Sequence, residues 1–441
     1  MNDHSPSKSP ALLAAMTATV NAIALSISLV CACQAVASDW PVYMHDAQRS
    51  GVTADGIGTN LAPAWVYPRT ARPARAWADE AKKDGSVDVP SQRAFKQRNL
   101  FDGVNHVAVA QGLLFFGSAT EHTVNCLDAF TGEPRWTFFT DGPVRMAPTW
   151  AANRVYAGSD DGSAYCLEAA TGKLIWKHAA AGTNNYLLPN NGQPVSPFAV
   201  RSGVLVDGGN AYFGAGIFPS EGVYLCAVDA GTGTMTNADH WRRSYTNEMS
   251  MQGYLLLSPT RVYMPSGRSN PFYFDRKNGA ILGQYNDREA SGTFALLAGT
   301  TLFYGRSGRT VGHITEGGPA GDSLATYSDG NAIVVQGKRS YLLGDTTLAA
   351  LDRTARTTVW SKAVLYPNTL ILAGTTLAAG GDAEVGFFDA ETGAKLGAVS
   401  VRGRALGLAV ASNMLYVSTD SGVIHAFSPG VTGPRSALIT R

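Results

Sequence analysis

The sequence predicts an all-β fold, an eight-bladed β-propeller of four-stranded antiparallel blades. Three observations predict it: a motif that recurs 40 positions along the chain, a strand signal that independently recurs eight times, and a composition poor in charge but rich in glycine. At 441 residues the chain is two to three times the usual domain size, which favours several domains or growth by repetition. Hydrophobic residues make up 45%, Gly contributes 48 positions and charged residues only 16%, against about 25% in an ordinary soluble protein. That profile fits many short strands joined by tight turns. Thirty-five basic residues face 34 acidic ones, so the chain has no charge reservoir for a nucleic-acid backbone or an anionic membrane surface.

Residues 1–37 are expected to be a signal peptide. Lys8 precedes an apolar run from Ala11 to Cys33, which leads to Ala35-Val36-Ala37, a small-x-small cleavage pattern. The mature chain then begins at Ser38. Two alternatives stay open: the run is long enough for an uncleaved membrane anchor, and Val30-Cys31-Ala32-Cys33 loosely resembles a lipoprotein acylation box. All three place the body of the chain outside the cytoplasm, in the periplasm or cell envelope. Membrane association is expected only through an uncleaved or lipidated N-terminus.

Residues 38–65 form an N-terminal segment leading into a ring-closing strand, Leu61 to Tyr67, expected to pair with the last repeat so that no sheet edge stays open. Residues 66–105 are a Pro/Arg-rich excursion with mixed-charge stretches, Arg69 to Arg75 and Asp79 to Asp88. A loop of that length inside a compact protein is usually functional or lacks fixed structure. The propeller blades are assigned to 106–430, and 431–441 is a C-terminal tail.

Within 106–430, Cys126-Leu127-Asp128-Ala129-Phe130-Thr131-Gly132 through Trp136 recurs as Cys166-Leu167-Glu168-Ala169-Ala170-Thr171-Gly172 through Trp176. The spacing is that of a propeller blade. The acidic anchor returns at Asp229, Asp275, Asp352 and Asp389, with Gly393 restoring the full turn. A degenerate copy is expected at Val311 to Thr315, and a last one at Val423 to Ser428. An independent count comes from the strand preceding each anchor: Leu113 to Gly117, Val155 to Gly158, Ala211 to Gly214, Val262 to Pro265, Leu302 to Gly305, Tyr341 to Gly344, Leu377 to Gly380 and Leu415 to Ser418. Both counts reach eight. One antiparallel blade cannot bury both its faces, whereas eight set radially bury them against one another.

The repeated residues have work that needs no ligand. An acidic side chain opening a Gly-containing turn accepts backbone N–H groups while Gly takes the positive-φ position. Trp136, Trp176 and Trp360 are expected to lie flat on the adjacent blade as core rather than as a substrate platform.

The motif resembles the blade signature of the pyrroloquinoline quinone-like propeller family, Ala-x-Asp-x-x-Thr-Gly-x-x-x-Trp, best seen at Asp128 to Trp136 and Glu168 to Trp176. Trp40-Pro41-Val42-Tyr43, Phe138 to Arg145, Gly216 to Gly222 and Gln252-Gly253-Tyr254 look like an exported bacterial subgroup often labelled BamB-like. The resemblance implies two functional classes. Quinoprotein dehydrogenases of this fold hold the quinone between a Trp and a disulfide of two adjacent cysteines, beside a calcium ion. This sequence has no Cys-Cys pair, so no cofactor is expected, with pyrroloquinoline quinone and Ca2+ as the alternative. The other class consists of scaffolds that bind extended peptides or proteins through loops on one face. The favoured reading is therefore a monomeric, non-catalytic exported scaffold binding protein or peptide, with saccharide as a further ligand class. A quinone-dependent oxidoreductase or a cryptic carbohydrate-active enzyme is the alternative.

No catalytic residues and no metal ligands are assigned. Zinc, haem, metalloprotease and nucleophile-elbow motifs are missing from the sequence. Topology puts the ligand face where second-to-third strand connections and blade-joining loops emerge together, gathering Arg145, Gln252, Arg268, Asn270, Arg306 and Arg309. Guanidiniums and amides suit carboxylate, peptide or sugar groups, though each taken singly also fits a solvated rim. Cys126, Cys166 and Cys226 lie on third strands of successive blades, about 10 Å apart by sheet packing, which is beyond disulfide reach. They are expected to be buried apolar residues.

Overall fold

In a computed structural model the described residues are 1, 38–58, 60–68, 71–76, 101–246, 249–267, 269–287, 291–307 and 313–430. Everything below concerns the unit that begins at residue 37. Among its described residues there are strands and two short 3-10 turns but no α-helix, hence no helix long and apolar enough to cross a membrane.

Eight four-stranded blades follow one another along the chain. Blade 1 consists of Val107–Ala110, Leu113–Ser118, Thr123–Asp128 and Pro134–Phe139, each antiparallel to the next. Blades 2 to 6 repeat this order over 149–179, 205–245, 256–284, 291–328 and 332–363. Blade 7 begins with Thr369–Ala373, Thr376–Gly380 and Asp382–Asp389, and its fourth strand is the first half of a 17-residue strand, Lys395–Ala411. The second half of that strand opens blade 8, which continues through Met414–Thr419 and Ile424–Pro429. Leu61–Tyr67 supplies its fourth strand, from Leu61 opposite Pro429 to Tyr67 opposite Ile424. Both ends of the propeller thus meet in one blade. The degenerate copy near 311–315 is real: His313–Gly317 is the third strand of blade 5.

The first strand of each blade is innermost, and these strands touch one another around the axis. Third strands such as Thr123–Asp128 and Ser163–Glu168 are buried on both faces until the terminal acid. Fourth strands such as Pro134–Phe139 are mostly exposed and form the rim.

The anchors explain why the turns repeat. Asp128 Oδ1 accepts the backbone N–H groups of Phe130 and Thr131, at 3.0 and 2.9 Å, and the N–H of Gly132 bonds the Asp128 carbonyl. Asp229, Asp275 and Asp352 each accept the N–H groups two and three residues on, and Asp389 accepts that of Thr392. Glu168 differs, because its longer side chain bonds the Thr171 hydroxyl instead. Gly132 and Gly172 sit at φ +75° and +72°, and an added Cβ on Gly172 would lie 2.6 Å from the Trp136 ring. Conformation and space both require glycine there.

The tryptophans stitch neighbouring blades. The indole N–H of Trp136 donates to Ala169 O at 2.9 Å, that of Trp176 to Ala230 O at 3.0 Å and that of Trp360 to Ala390 O at 3.2 Å. Two members of this girdle lie outside the full copies of the motif: Trp65 reaches Ala129 O from the ring-closing strand, and Trp241 reaches Arg276 O. Between blades 5 and 6 a different device operates. Glu316, buried in blade 5, accepts Arg353 at 3.1 Å, Arg356 at 2.8 Å and the Tyr327 hydroxyl at 2.8 Å. Arg356 holds φ +57°, the conformation glycine adopts in the other turns.

Candidate functional site

Residues 38–53 run once around the axis, a placement that the sequence does not announce. Trp40 exchanges backbone hydrogen bonds with Val109 of blade 1, and Pro41 O accepts Trp150 N of blade 2. Ala47 O accepts Leu257 N, Gln48 O accepts Leu297 N, and Val52–Thr53 pairs in parallel with Leu372–Ala373 of blade 7. Ser38 O accepts Ser412 N, just past the first strand of blade 8. Most of these contacts lie toward the far ends of the innermost strands, so the segment closes the axis on the side of the Asp-Gly turns.

Side chains fill the axis behind it. Tyr43 stacks on Tyr254 with ring centroids 3.7 Å apart, and the buried Arg49 donates to Leu255 O and Tyr43 O. Phe101, Met146, Ala147 and Tyr254 form a buried cluster against Tyr43. The space left between Trp40, Met44, His106 and Leu408 is a void of about 10 Å³.

The opposite side, where blade-joining loops emerge, is built over a charged cluster. Asp160, in the second-to-third connection of blade 2, receives Arg201 on both carboxylate oxygens at 2.8 and 2.9 Å and Arg145 Nε at 2.5 Å. Asp102 lies 3.9 Å from Arg145 Nη1 and accepts Ala76 N at 2.6 Å. All four side chains are at most 2% exposed. Burial alone would raise the carboxyl of Asp160, but the charges of Arg201 and Arg145 outweigh it and hold the group below the usual carboxylate range. Burial dominates at Asp102 and pushes its carboxyl up. Arg145 also donates to Ala74 O, Thr120 to Arg72 O and Asn191 to Arg75 O. Both described ends of the 66–105 excursion are thereby fastened over blades 1 and 2.

The expected ligand-face residues separate accordingly. Arg145 is not a displayed rim guanidinium, since it is buried and committed to Asp160, Asp102 and Ala74. Gln252 is 6% exposed and its amide donates to Ser250, while its backbone bridges Arg201 and Ser266. It too is internal. Asn270 is half-buried and its carbonyl accepts Gln284. Arg306 is the penultimate residue of the second strand of blade 5, Thr301–Ser307, and Arg268 and Arg309 fall outside the described residues.

Sequence reasoning missed the apolar relief on this side. The blade 2–3 connection carries an extra hairpin, Leu188–Asn190 with Gln193–Val195, preceded by Tyr186 and Leu187 at 44% and 47% exposure. Gln193 Oε1 lies 2.6 Å from His122 Nε2 in blade 1. Phe139 and Leu365, at 73% and 81% exposure, end blade 1 and stand between blades 6 and 7. The signal was present as Asn-Asn-Tyr-Leu-Leu-Pro, an apolar pair in a polar loop. Elsewhere a shallow hollow of about 490 Å³ beside Met235, His240, Arg243 and Lys277 opens at the turns of blades 3 and 4.

With the geometry in place, the comparisons decide the family. The family model described as outer membrane protein assembly factor BamB matches residues 74–316, more than half of the sequence. The chain belongs to this BamB family. No curated protein matches it significantly. Among solved structures, it is similar to a quinohemoprotein alcohol dehydrogenase from Comamonas testosteroni at 14% identity and TM-score 0.61, over 91% of this chain and 82% of that one. A europium-containing methanol dehydrogenase aligns at 11% identity and TM-score 0.59, over 86% of this chain and 89% of that one. The computationally designed Ika8 protein aligns at 15% identity and TM-score 0.55, over 76% of this chain and 97% of that one. At such identities the BamB-family chain shares only a fold with these proteins.

The residues of this BamB-family chain do not fit a quinone clamp. Among the described residues its cysteines, Cys126, Cys166 and Cys226, stand on three different blades, buried and free. Among the described residues, the void between Trp40, Met44, His106 and Leu408 is about 10 Å³, where pockets for small molecules take roughly 300–1,000 Å³. Among the described residues no three His, Cys, Asp or Glu side chains converge as metal ligands.

Proposed function

We propose that this protein is an exported, non-catalytic scaffold of the cell envelope that holds a protein partner on its blade-joining side. The observation that carries this reading is the contrast between the two ends of the axis. One is closed by residues 38–53, whose backbone is bonded to the surrounding blades. The other is raised into a hairpin with exposed Tyr186 and Leu187, on a base made rigid by the Asp160 cluster. Exposed aromatic and aliphatic groups on a rigid support suit a protein partner, because little side-chain entropy is lost on docking. The family description, an assembly factor for outer membrane proteins, agrees with partners of that kind. We read Arg268, Asn270, Arg306 and Arg309, the residues expected from the sequence to line this side, as its polar rim.

The test is chemical crosslinking in envelope preparations followed by capture of the tagged protein. Tyr186→Ala with Leu187→Ala should lose a partner that the wild type retains, and Arg268→Ala with Arg306→Ala should weaken it. Phe130→Ala, on the opposite turns, should leave capture intact. Stoichiometric retention of pyrroloquinoline quinone with calcium, accompanied by dye-linked turnover, would overturn the reading in favour of an oxidoreductase.

A further inference from the structure

Ser38 stands at the start of the circuit around the axis, and the circuit returns to it. Its backbone nitrogen lies 2.6 Å from Asp55 Oδ2, and its hydroxyl lies 2.9 Å from the same oxygen and 3.0 Å from Thr53 Oγ1. Thr53 Oγ1 in turn accepts Asp55 N at 3.2 Å. Residues 38–53 therefore start and finish at one point, and a carboxylate fastens the start. The neighbouring acid, Asp39, is engaged by the backbone and side-chain N–H groups of Gln111, so Asp55 is the acid that faces Ser38. An interior peptide nitrogen would offer this carboxylate one neutral N–H. A chain terminus would offer a positive charge and three hydrogens.

We infer that the Ala37–Ser38 bond is the processing site of the exported chain and that the Ser38 α-ammonium it creates is bound by Asp55. The small-x-small pattern Ala35-Val36-Ala37 supplies the recognition chemistry for a leader peptidase. In the cleavage, water adds to the Ala37 carbonyl carbon and the bond to Ser38 nitrogen breaks. Ala37 leaves as a carboxylate, and the two hydrogens of water convert the amide N–H into an ammonium. That group then forms a half-buried ion pair with Asp55 and locks the axial circuit into a closed loop. The inference is independent of what the blade-joining side binds.

The experiment uses the full chain, expressed with residues 1–37 in an exporting bacterium. Intact mass and N-terminal sequencing should give a chain beginning at Ser38. An uncut chain, or one beginning at an acylated Cys33, would overturn the inference. Thermal melts of the processed wild type and of Asp55→Asn are then compared across pH. The ammonium, raised by its partner above the ordinary α-amino range of about 7.7–8.0, stabilises the fold below that range and loses its contribution as pH rises through the folded value. The wild type should melt above the variant at pH 7, with the difference closing by about pH 10. A difference that does not change with pH would mean that Asp55 accepts only a neutral N–H, and would sink the ion pair. If Asp55→Asn fails to fold, the Ser38 amine of the wild type is titrated by NMR after reductive methylation with labelled formaldehyde. A value at or below the ordinary range would be equally fatal.

Discussion

At the scale of single residues, charge and burial set the most direct tests. Asp160 neutralises two buried guanidiniums, and removing one partner of such a cluster leaves an uncompensated charge. Asp160→Asn should therefore lower stability by about 3–5 kcal/mol in denaturant melts; a change under about 1 kcal/mol would show that the cluster is not a support. Burial pushes the thiols of Cys126, Cys166 and Cys226 up to about 12, 11 and 12. The thiolate is the reactive form, so at pH 8 all three should resist iodoacetamide in the native protein and react together once it is unfolded, as mass spectrometry would read. The anchors and girdle were legible because their partners are near in sequence or repeat with the motif: Asp128 serves residues two and three ahead, and Trp136 meets the copy of its own turn. Arg145 was illegible because its partners lie 15 residues ahead and 71 behind, with no local pattern to join them. Its type suggested a ligand, whereas its neighbours make it a brace.

At the scale of elements, strands were read well where alternation and turn chemistry coincide. All eight second strands lie where the β-branched and aromatic runs placed them, and the ring-closing strand pairs as its apolar pattern required. The sequence could not show that blades 7 and 8 share the single strand Lys395–Ala411, since a strand passing between sheets has the same alternation as two strands. Nor could it show residues 38–53 as an axial circuit, because backbone bonds to six separated segments leave no periodicity. The exchange of a tryptophan for Glu316 between blades 5 and 6 is testable here. Trp136→Ala should cost up to about 3 kcal/mol, the low end of buried aromatic truncation, because Trp136 is half-buried. Arg356→Gly relieves a positive φ but removes a guanidinium from Glu316, so the two effects oppose each other and the melt should move less than for Trp136→Ala.

At the scale of the whole molecule, acid sensitivity follows from buried imidazoles. Burial lowers His106 to about 3, and burial with the nearby Arg402 charge lowers His425 to about 4. His425 Nε2 accepts Arg402 N at 3.0 Å, which fixes the neutral form. Unfolded, both groups titrate near 6.5, so the unfolded chain binds more protons between that value and the folded ones. Stability is then complete above about pH 6.5 and falls as the medium is acidified. The melting temperature should drop between pH 6.5 and 4, and His425→Gln should flatten the slope; an unchanged slope would remove His425 from the account.

Leu61–Tyr67 pairs with Ile424–Pro429, and this pairing also sets an order in time. A polypeptide emerges amino end first, so the strand made earliest waits for the partner made last. The circuit of residues 38–53 must likewise be in place while the blades assemble around it, because a finished ring would have to reopen to admit it. Blades 1 to 7 have local partners and can form as they appear, but the molecule stays unsealed until its last strand has emerged. An apolar strand held open for that interval invites pairing with another chain, so the newly made protein is most exposed to misassembly before it becomes a partner to anything else.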